Sequence, residues 1–261
     1  MRTSRRLAIA IALVATISIT FPALTAATHS WGGYHWARTS NPFTLKLGDN
    51  VSTAWDAYLA TTSSDWSASS VLDTTIVAGL ARPKNCRPTA GRVEVCNASY
   101  GNNGWLGVAQ IWVSGGTHIT QGTAKVNDFY FNMASYNTPA WRRMVMCQEV
   151  AHTFGLGHQD ETQSNANLGS CMDYTNDPDG GAGGASATDP SNEHPNAHDF
   201  AQLETIYAHL DSTTTLASSV QAAGAASGWG RLVAVTNGGR TSVYVAGAGD
   251  QLVISFVIWA N

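Results

Sequence analysis

The chain has few charged residues, and this shortage narrows the classes of protein to which it can belong. Charged side chains make up 12% of the 261 residues, about half the usual share, whereas hydrophobic residues make up an ordinary 44%. Beyond the N-terminus there is no cluster of Lys or Arg, and the formal net charge is −4. Because binding to a phosphate backbone requires a basic surface, this composition argues against a nucleic-acid partner.

Long hydrophobic runs are also scarce, and the clearest one lies at the N-terminus. Three arginines within the first six residues precede an apolar or hydroxylic run from Leu7 to Phe21, and small residues follow around Ala26 and Ala27. This order is typical of a secretory signal peptide, and the run is shorter than the roughly 20 residues needed to cross a bilayer. The sequence therefore predicts a signal peptide over 1–27, cleavage near Ala26 or Ala27, and a secreted product without a stable membrane anchor.

Cysteines are few and even in number, and their positions suggest disulfides. The chain contains Cys86, Cys96, Cys147 and Cys171. In an exported protein such residues usually pair, and four of them allow three connectivities. Cys86 and Cys96 flank a short segment with Pro and Gly and are expected to close a local loop, which leaves Cys147 for Cys171. A metal-bound thiolate is the alternative for the second pair.

The hydrophobic pattern predicts an α+β protein without internal repeats. Strands are predicted over 42–47, 74–79, 91–96, 105–113 and 123–131. Helices are predicted over 52–70, from Thr138 and Pro139 to Phe154, and from Pro195 to about Leu210. After a linker over 212–228, strands over 232–236, 241–246 and 252–259 predict a small antiparallel β meander.

The residues that carry chemistry lie in the segment CQEVAHTFGLGH. Gln148 and His152 are four positions apart on one helix face, and Glu149 lies at its edge. Gly155 permits a sharp turn that returns His158 towards His152. Three side chains that can bind metal and one carboxylate would thus surround one point. A metal ion with an open position, and a base beside its water, needs such an arrangement.

This segment resembles the signature of the metzincin zinc peptidases, His-Glu-x-x-His-x-x-Gly-x-x-His followed by a Met-turn. The matching residues are Glu149, His152, Gly155, His158 and, in the later sequence SCMDY, Met172. Residues 199–207 are similar to the last helix of matrixin-type domains, and the resemblance covers roughly residues 40–210. It implies a twisted mixed sheet with an active-site helix and a C-terminal helix over 28–211. The remaining residues, 212–261, would form the linker and a meander packed on that domain.

The resemblance also implies a function, that of a secreted zinc endopeptidase acting on protein or peptide substrates as a monomer. Zn²⁺ would be held by Gln148, His152 and His158, while Glu149 would act as general base towards the metal-activated water. Tyr174 is either a core aromatic residue or a hydrogen-bond donor to the transition state. Ca²⁺ is a further candidate ion at the loop that contains Asn176, Asp177 and Asp179, although the spacing is not that of an EF-hand.

One position departs from the family pattern. Gln148 stands where the family has its first zinc-binding His, and a Gln oxygen is a harder and weaker zinc ligand than imidazole. Three alternatives follow. In the first, Gln148 coordinates the metal through its side-chain oxygen. In the second, Asp160 or Tyr174 supplements the two histidines, and in the third, the site binds no metal. In the last case the chain is a non-catalytic peptide- or protein-binding relative on the same fold.

The predicted strand over residues 105–113 also has two interpretations. Residues 105–110 resemble the edge strand that pairs with extended substrate in matrixin-like proteases, and would then bind a peptide main chain by β-augmentation. Alternatively, this is an interior strand with a bulge at its glycine. The pattern of residues is equally compatible with both.

Overall fold

The computed structural model describes residues 29–181, 187–216, 228–236 and 239–260. The signal peptide predicted over 1–27 lies outside these residues, as does most of the linker predicted over 212–228. Within the described ranges, no helix is both long and apolar enough to cross a membrane. Because the structure does not describe residues 1–28 and 217–227, the predicted domain boundaries stay a prediction.

The described residues form an α+β fold in which one mixed sheet carries a few helices, and this confirms the predicted class. The elements in chain order are β1 (His35–Trp36), β2 (Phe43–Asn50), α1 (Asp56–Trp66), β3 (Leu72–Ala78), β4 (Val93–Ala98), β5 (Trp105–Ser114), β6 (His118–Asn127), α2 (Asp128–Phe131), α3 (Pro139–His152), α4 (Ala197–Ile206), β7 (Arg231–Thr236), β8 (Thr241–Ala248) and β9 (Gln251–Trp259).

The sheet has a parallel half and an antiparallel half. Its strand order is β3-β2-β4-β6-β5-β9-β8-β7, and β1 pairs with β6 off this path. Strands β3, β2, β4 and β6 are parallel, whereas β5 runs antiparallel to β6 and the C-terminal strands continue in that sense. Strand β5 is therefore interior, with a register irregularity between Trp105 and Gly107. Of the two interpretations of this strand, the structure has the interior strand with a bulge.

Two predicted elements need correction. The strand predicted over 123–131 ends at Asn127, whose side chain accepts a hydrogen bond from the backbone N–H of Phe129 and so caps the short helix α2. The helix predicted to begin at Pro195 begins at Ala197 instead. Its cap is a capping box, in which the side chains of Asn196 and Asp199 each accept a hydrogen bond from the other's backbone N–H.

Helix α3 lies against the sheet and α1, and its C-terminal end is held by hydrogen bonds from distant residues. The last carbonyl groups of a helix have no partner within the helix. Just beyond α3, the indole N–H of Trp36 donates to the Thr153 carbonyl at 2.9 Å, and the Tyr207 hydroxyl donates to the Phe154 carbonyl at 2.9 Å. These bonds fix the place where the chain leaves the helix.

Both predicted disulfides are present. Cys86 is bonded to Cys96 and Cys147 to Cys171, and the described residues contain no free cysteine. The thiolate alternative for Cys147 is therefore wrong. The second disulfide ties α3 to the turn that contains Met172.

Replacing Cys147 and Cys171 together by Ser should lower the free energy of unfolding by about 3 kcal/mol, because the unfolded chain loses a loop closure. The two cysteines are 24 residues apart. Urea unfolding measures the loss, and amide hydrogen exchange should accelerate at Met172.

The double Ser variant of Cys86 and Cys96 is the matched control for this prediction. It should also be destabilised, because it too loses a loop closure. It should leave amide hydrogen exchange at Met172 unchanged, because the disulfide between Cys86 and Cys96 does not involve that turn. Equal exchange in both variants would contradict the role assigned to the second disulfide.

Candidate metal centre

Helix α3 places three of the predicted site residues in its last two turns. Its start is fixed locally, because the Thr138 side chain accepts a hydrogen bond from a backbone N–H of the first turn and Pro139 follows. Gln148, Glu149 and His152 are all buried, with at most 1% of each residue exposed. The helix thus presents its polar residues to the protein interior, where such groups require a partner.

The reversal after α3 brings His158 beside His152. Gly155 has a φ of 96°, which side-chain-bearing residues rarely adopt, and a Cβ there would overlap the carbonyl oxygen of Tyr34. Glycine is thus required at this position on two grounds. The rings of His152 and His158 lie with centroids 4.6 Å apart and nearly perpendicular planes.

In each of the two histidine rings, Nδ1 makes a hydrogen bond and Nε2 does not. His152 Nδ1 lies 2.8 Å from the Leu156 carbonyl oxygen, and His158 Nδ1 lies 3.2 Å from Glu161 Oε1. Since both oxygens can only accept, each Nδ1 carries the proton, and Nε2 of the neutral ring has a free lone pair. Metal-binding histidines in proteins are held by the same kind of bond.

Several polar atoms of the predicted site residues are buried without hydrogen-bond partners. They are Nε2 of His152 and of His158 and both amide atoms of Gln148. The Glu149 carboxylate lies near the backbone N–H of Ala109, and the Tyr174 hydroxyl lies near the Thr241 side chain. Leaving one such group unpaired costs about 1–3 kcal/mol, so a concentration of them requires an explanation. A cation that accepted both Nε2 atoms and the Gln148 oxygen would satisfy three of them. The donor set fits a zinc-type ion.

Burial also controls the charge of this centre. It raises the pKa of the Glu149 carboxyl well above its usual value and lowers the pKa of His152 well below its usual value, the second effect being reinforced by the nearby His158. Burial likewise raises the pKa of the Tyr174 hydroxyl. The ring of Tyr174 lies against His158, with centroids 4.5 Å apart.

The turn that contains Met172 is bonded to the segment after His158. The Gln159 backbone N–H donates to the Met172 carbonyl at 2.7 Å, and the Tyr174 N–H donates to the Asp160 carbonyl at 3.2 Å. The Asp160 side chain accepts hydrogen bonds within its own loop, from Thr162 and Asn165. This engagement weakens the interpretation in which Asp160 supplements the two histidines.

Strand β9 covers the centre. It pairs with β5 so that Phe256 lies opposite Ala109. The Phe256 ring stacks on His152, with centroids 4.5 Å apart and planes only 6° from parallel. The edge of β5 that would bind a peptide main chain by β-augmentation is therefore occupied by the chain's own C-terminal strand.

Strand β5 also makes room for Glu149. A Cβ on Gly107 would overlap the Glu149 carboxylate, so this carboxylate can approach the strand only because position 107 has no side chain. Sequence reasoning identified neither Gly107 nor Phe256 as part of the centre. The signal for Gly107 was present, because a glycine inside a strand pattern often marks a close approach. Phe256 gave no local signal, since its role depends on strand pairing.

The candidate calcium loop gains no support. The Asn176 side-chain oxygen accepts a hydrogen bond from Arg240 at 2.9 Å, so a guanidinium group already lies beside this candidate ligand. Elsewhere in the described residues, two groups have ligand atoms close enough to hold a metal ion. They are His29, His198 and Asp199, and His35, His209 and Asp211.

Comparisons with known proteins add little to this geometry. No protein-family model and no curated protein matches the chain. Among solved structures it is similar to high choriolytic enzyme 1, a hatching enzyme zinc-protease from Oryzias latipes (medaka fish), at 11% identity and a TM-score of 0.36. The match covers 67% of this chain and 94% of that one. A likeness this distant carries no argument, so the function must be argued from the residues themselves.

Replacing Gly107 by Ala should destabilise the protein by about 1–3 kcal/mol, because the new methyl group forces the Glu149 carboxylate away from β5. Urea unfolding measures the loss. Gly122→Ala is the control, since its Cβ would meet side-chain atoms of Thr153 and Val93 at 3.3 Å or more. A larger loss for Gly122→Ala than for Gly107→Ala would contradict the close approach.

Proposed function

We propose that this chain is a zinc-dependent endopeptidase of the metzincin type, kept in a closed form by its own C-terminal strands. The observation that carries the proposal is the group of buried, unpaired polar atoms on Gln148, His152 and His158, beside the buried carboxylate of Glu149. Such a group is costly without a ligand, and its donor types suit a metal ion beside a carboxylate.

Each ligand has a defined role in this proposal. His152 and His158 bind zinc through Nε2, and Gln148 through its side-chain oxygen. Leu156 and Glu161 keep the two rings in the tautomer that binding requires, because they hold the Nδ1 protons. When bound, zinc supplies a Lewis acid that polarises the carbonyl of the peptide to be cleaved.

Two further residues act on the substrate. Glu149 takes a proton from the attacking water and later delivers it to the departing amine nitrogen. Tyr174 donates a hydrogen bond from its hydroxyl to the oxygen on which negative charge develops.

A second candidate is a non-catalytic peptide-binding relative on the same fold. Gln148 favours it, since an amide oxygen is a weaker zinc ligand than imidazole. The retained pair of histidines with Nδ1 held and Nε2 unpaired favours the enzyme, because peptide binding alone has no need for this arrangement.

Zinc content distinguishes the two candidates. Replacing Gln148 by His should tighten zinc binding more than tenfold, because imidazole replaces a weak oxygen ligand. Glu149→Gln should retain zinc and lose hydrolysis, because the base is lost while the ligands remain. Metal analysis after dialysis against micromolar zinc measures zinc binding. Casein cleavage measures hydrolysis, and it is assayed on protein that carries an inserted protease site between α4 and β7 and has been cut there.

Gln251→Ala and Gln251→His are the controls for these variants. Gln251 is an exposed residue of β9, so a His there adds imidazole outside the centre. If Gln148→Ala carries as much zinc as Gln251→Ala, and Gln148→His gains none beyond the Gln251→His level, the enzyme proposal fails. The binding-protein candidate would then replace it.

Opening the C-terminal strands should release activity. A recognition site for a specific protease, inserted between residues 217 and 227, allows the chain to be cut between α4 and β7. Cleavage of casein should rise at least tenfold in proportion to the released 228–261 segment, because the edge of β5 and His152 then become accessible. Adding that segment back as a peptide should suppress the activity.

The control carries the same recognition site at Gly116, in the turn between β5 and β6. A cut at this position leaves β9 covalently attached to α3. A cut there should give no activity. Full release of the 228–261 segment without any hydrolysis, from protein that contains zinc, would show that β9 does not restrain the chain.

A further inference from the structure

Outside the centre on α3, three histidines and one aspartate from separate parts of the chain meet. His35 lies in β1, His118 begins β6, and His209 and Asp211 follow α4. The Nε2 atoms of His118, His35 and His209 lie 3.1, 3.5 and 3.7 Å from Asp211 Oδ1. The Nε2 atoms of His35 and His209 lie 3.1 Å from each other.

The separations among His35, His209 and Asp211, 3.1 to 3.7 Å, match those between the ligands of a tetrahedral zinc ion. With zinc–ligand bonds of about 2.0–2.1 Å, neighbouring ligand atoms of a tetrahedron are about 3.3 Å apart. Without a cation, one of the two facing Nε2 atoms of His35 and His209 must carry a proton to bond the other. A metal ion would accept both lone pairs.

The surrounding hydrogen bonds orient the ligand atoms towards this point. His35 Nδ1 lies 2.8 Å from the Gly33 carbonyl oxygen, so Nδ1 carries the proton and Nε2 has the lone pair. Asp211 Oδ2 accepts hydrogen bonds from the backbone N–H of Arg38 at 3.1 Å and from its guanidinium group at 2.9 Å. Asp211 Oδ1 is thereby left to the histidines, as in metal sites whose ligands are held by outer groups.

The donor set selects the class of ion. Two imidazole nitrogens with a single carboxylate suit zinc or a similar transition metal, whereas calcium requires six to eight oxygen ligands. The buried positive charge of Arg38 reinforces this choice, because it offsets the only carboxylate of the group. The side chains of His118 and His209 are 34% and 54% exposed, which gives the ion access from solvent.

We propose that His35, His209 and Asp211 form a second zinc-type site that joins β1 to the chain after α4, and that His118 is an outer partner, hydrogen-bonded to Asp211. The site shares no residue with the centre on α3 and does not depend on the proposed peptidase activity. Its role is structural, because it links two segments that are far apart in sequence.

Zinc titration of the full chain after removal of metal by a chelator tests this proposal. The wild type should bind one zinc more than His209→Ala. At zinc concentrations a hundredfold above the dissociation constant, this site should raise the melting temperature by about 5–10 °C, and His209→Ala should lose that increment. His118→Gln should weaken the same equivalent at least tenfold while keeping the fold.

His194→Ala is the matched control, because His194 is also half exposed and also bonded to a carboxylate, that of Asp65. It should retain every zinc equivalent of the wild type. Equal zinc content and equal melting shifts in His209→Ala and His194→Ala would overturn the second site. A single equivalent that is lost in His209→Ala would support it and would instead count against zinc at Gln148.

Discussion

The reversal of the chain at Gly155 is the constraint on which the candidate metal centre depends. Only at this backbone angle, with no Cβ against Tyr34, can the chain turn back from α3 and place His158 beside His152. The bonds from Trp36 and Tyr207 to the carbonyl groups after α3 hold the turn in place. Residues that precede the centre in sequence and residues that follow it thus both contact the C-terminal end of α3.

The enclosure of the centre gives a physical account of how the proposed hydrolysis would be restrained. Residues 28–41, between the predicted signal peptide and the first predicted strand, contain no cysteine. Strand β9 occupies the edge of β5, and Phe256 covers His152. A backbone that already satisfies the hydrogen bonds of β5 competes directly with any extended peptide for the same groups.

Local signals in the sequence were sufficient for some features and not for others. The cap at Thr138, the spacing from Gln148 to His158 and the loop between Cys86 and Cys96 depend on neighbours in the chain, and their geometry could be predicted. The start of α4 was misplaced by two residues, because a capping box at Asn196 outweighed the proline before it. The aromatic residues over 129–131 favour a strand, whereas the cap at Asn127 starts a helix there.

Other features depend on strand pairing, which a single sequence does not reveal. The interior position of β5 follows from its partner β9, more than a hundred residues later. The meeting of His35, His118 and His209 follows from the pairing of β1 with β6 and from the path of the chain after α4. Of that group only His209 and Asp211 are close in sequence, and two residues at that spacing do not indicate a metal site.

The chain after α4 returns to the point where β1 begins the fold. The backbone N–H of Asp211 donates to the Arg38 carbonyl, and the N–H of Thr215 donates to the Ala37 carbonyl, both at 2.9 Å. The body between β1 and α4 therefore has its entrance and its exit side by side. Segments attached at such a place can be lengthened or exchanged with little effect on the core, because both ends are already anchored to each other. The connection from residue 215 to β7 could thus be lengthened without moving the helix that carries the histidines, whereas β9 itself is tied to that helix through Phe256.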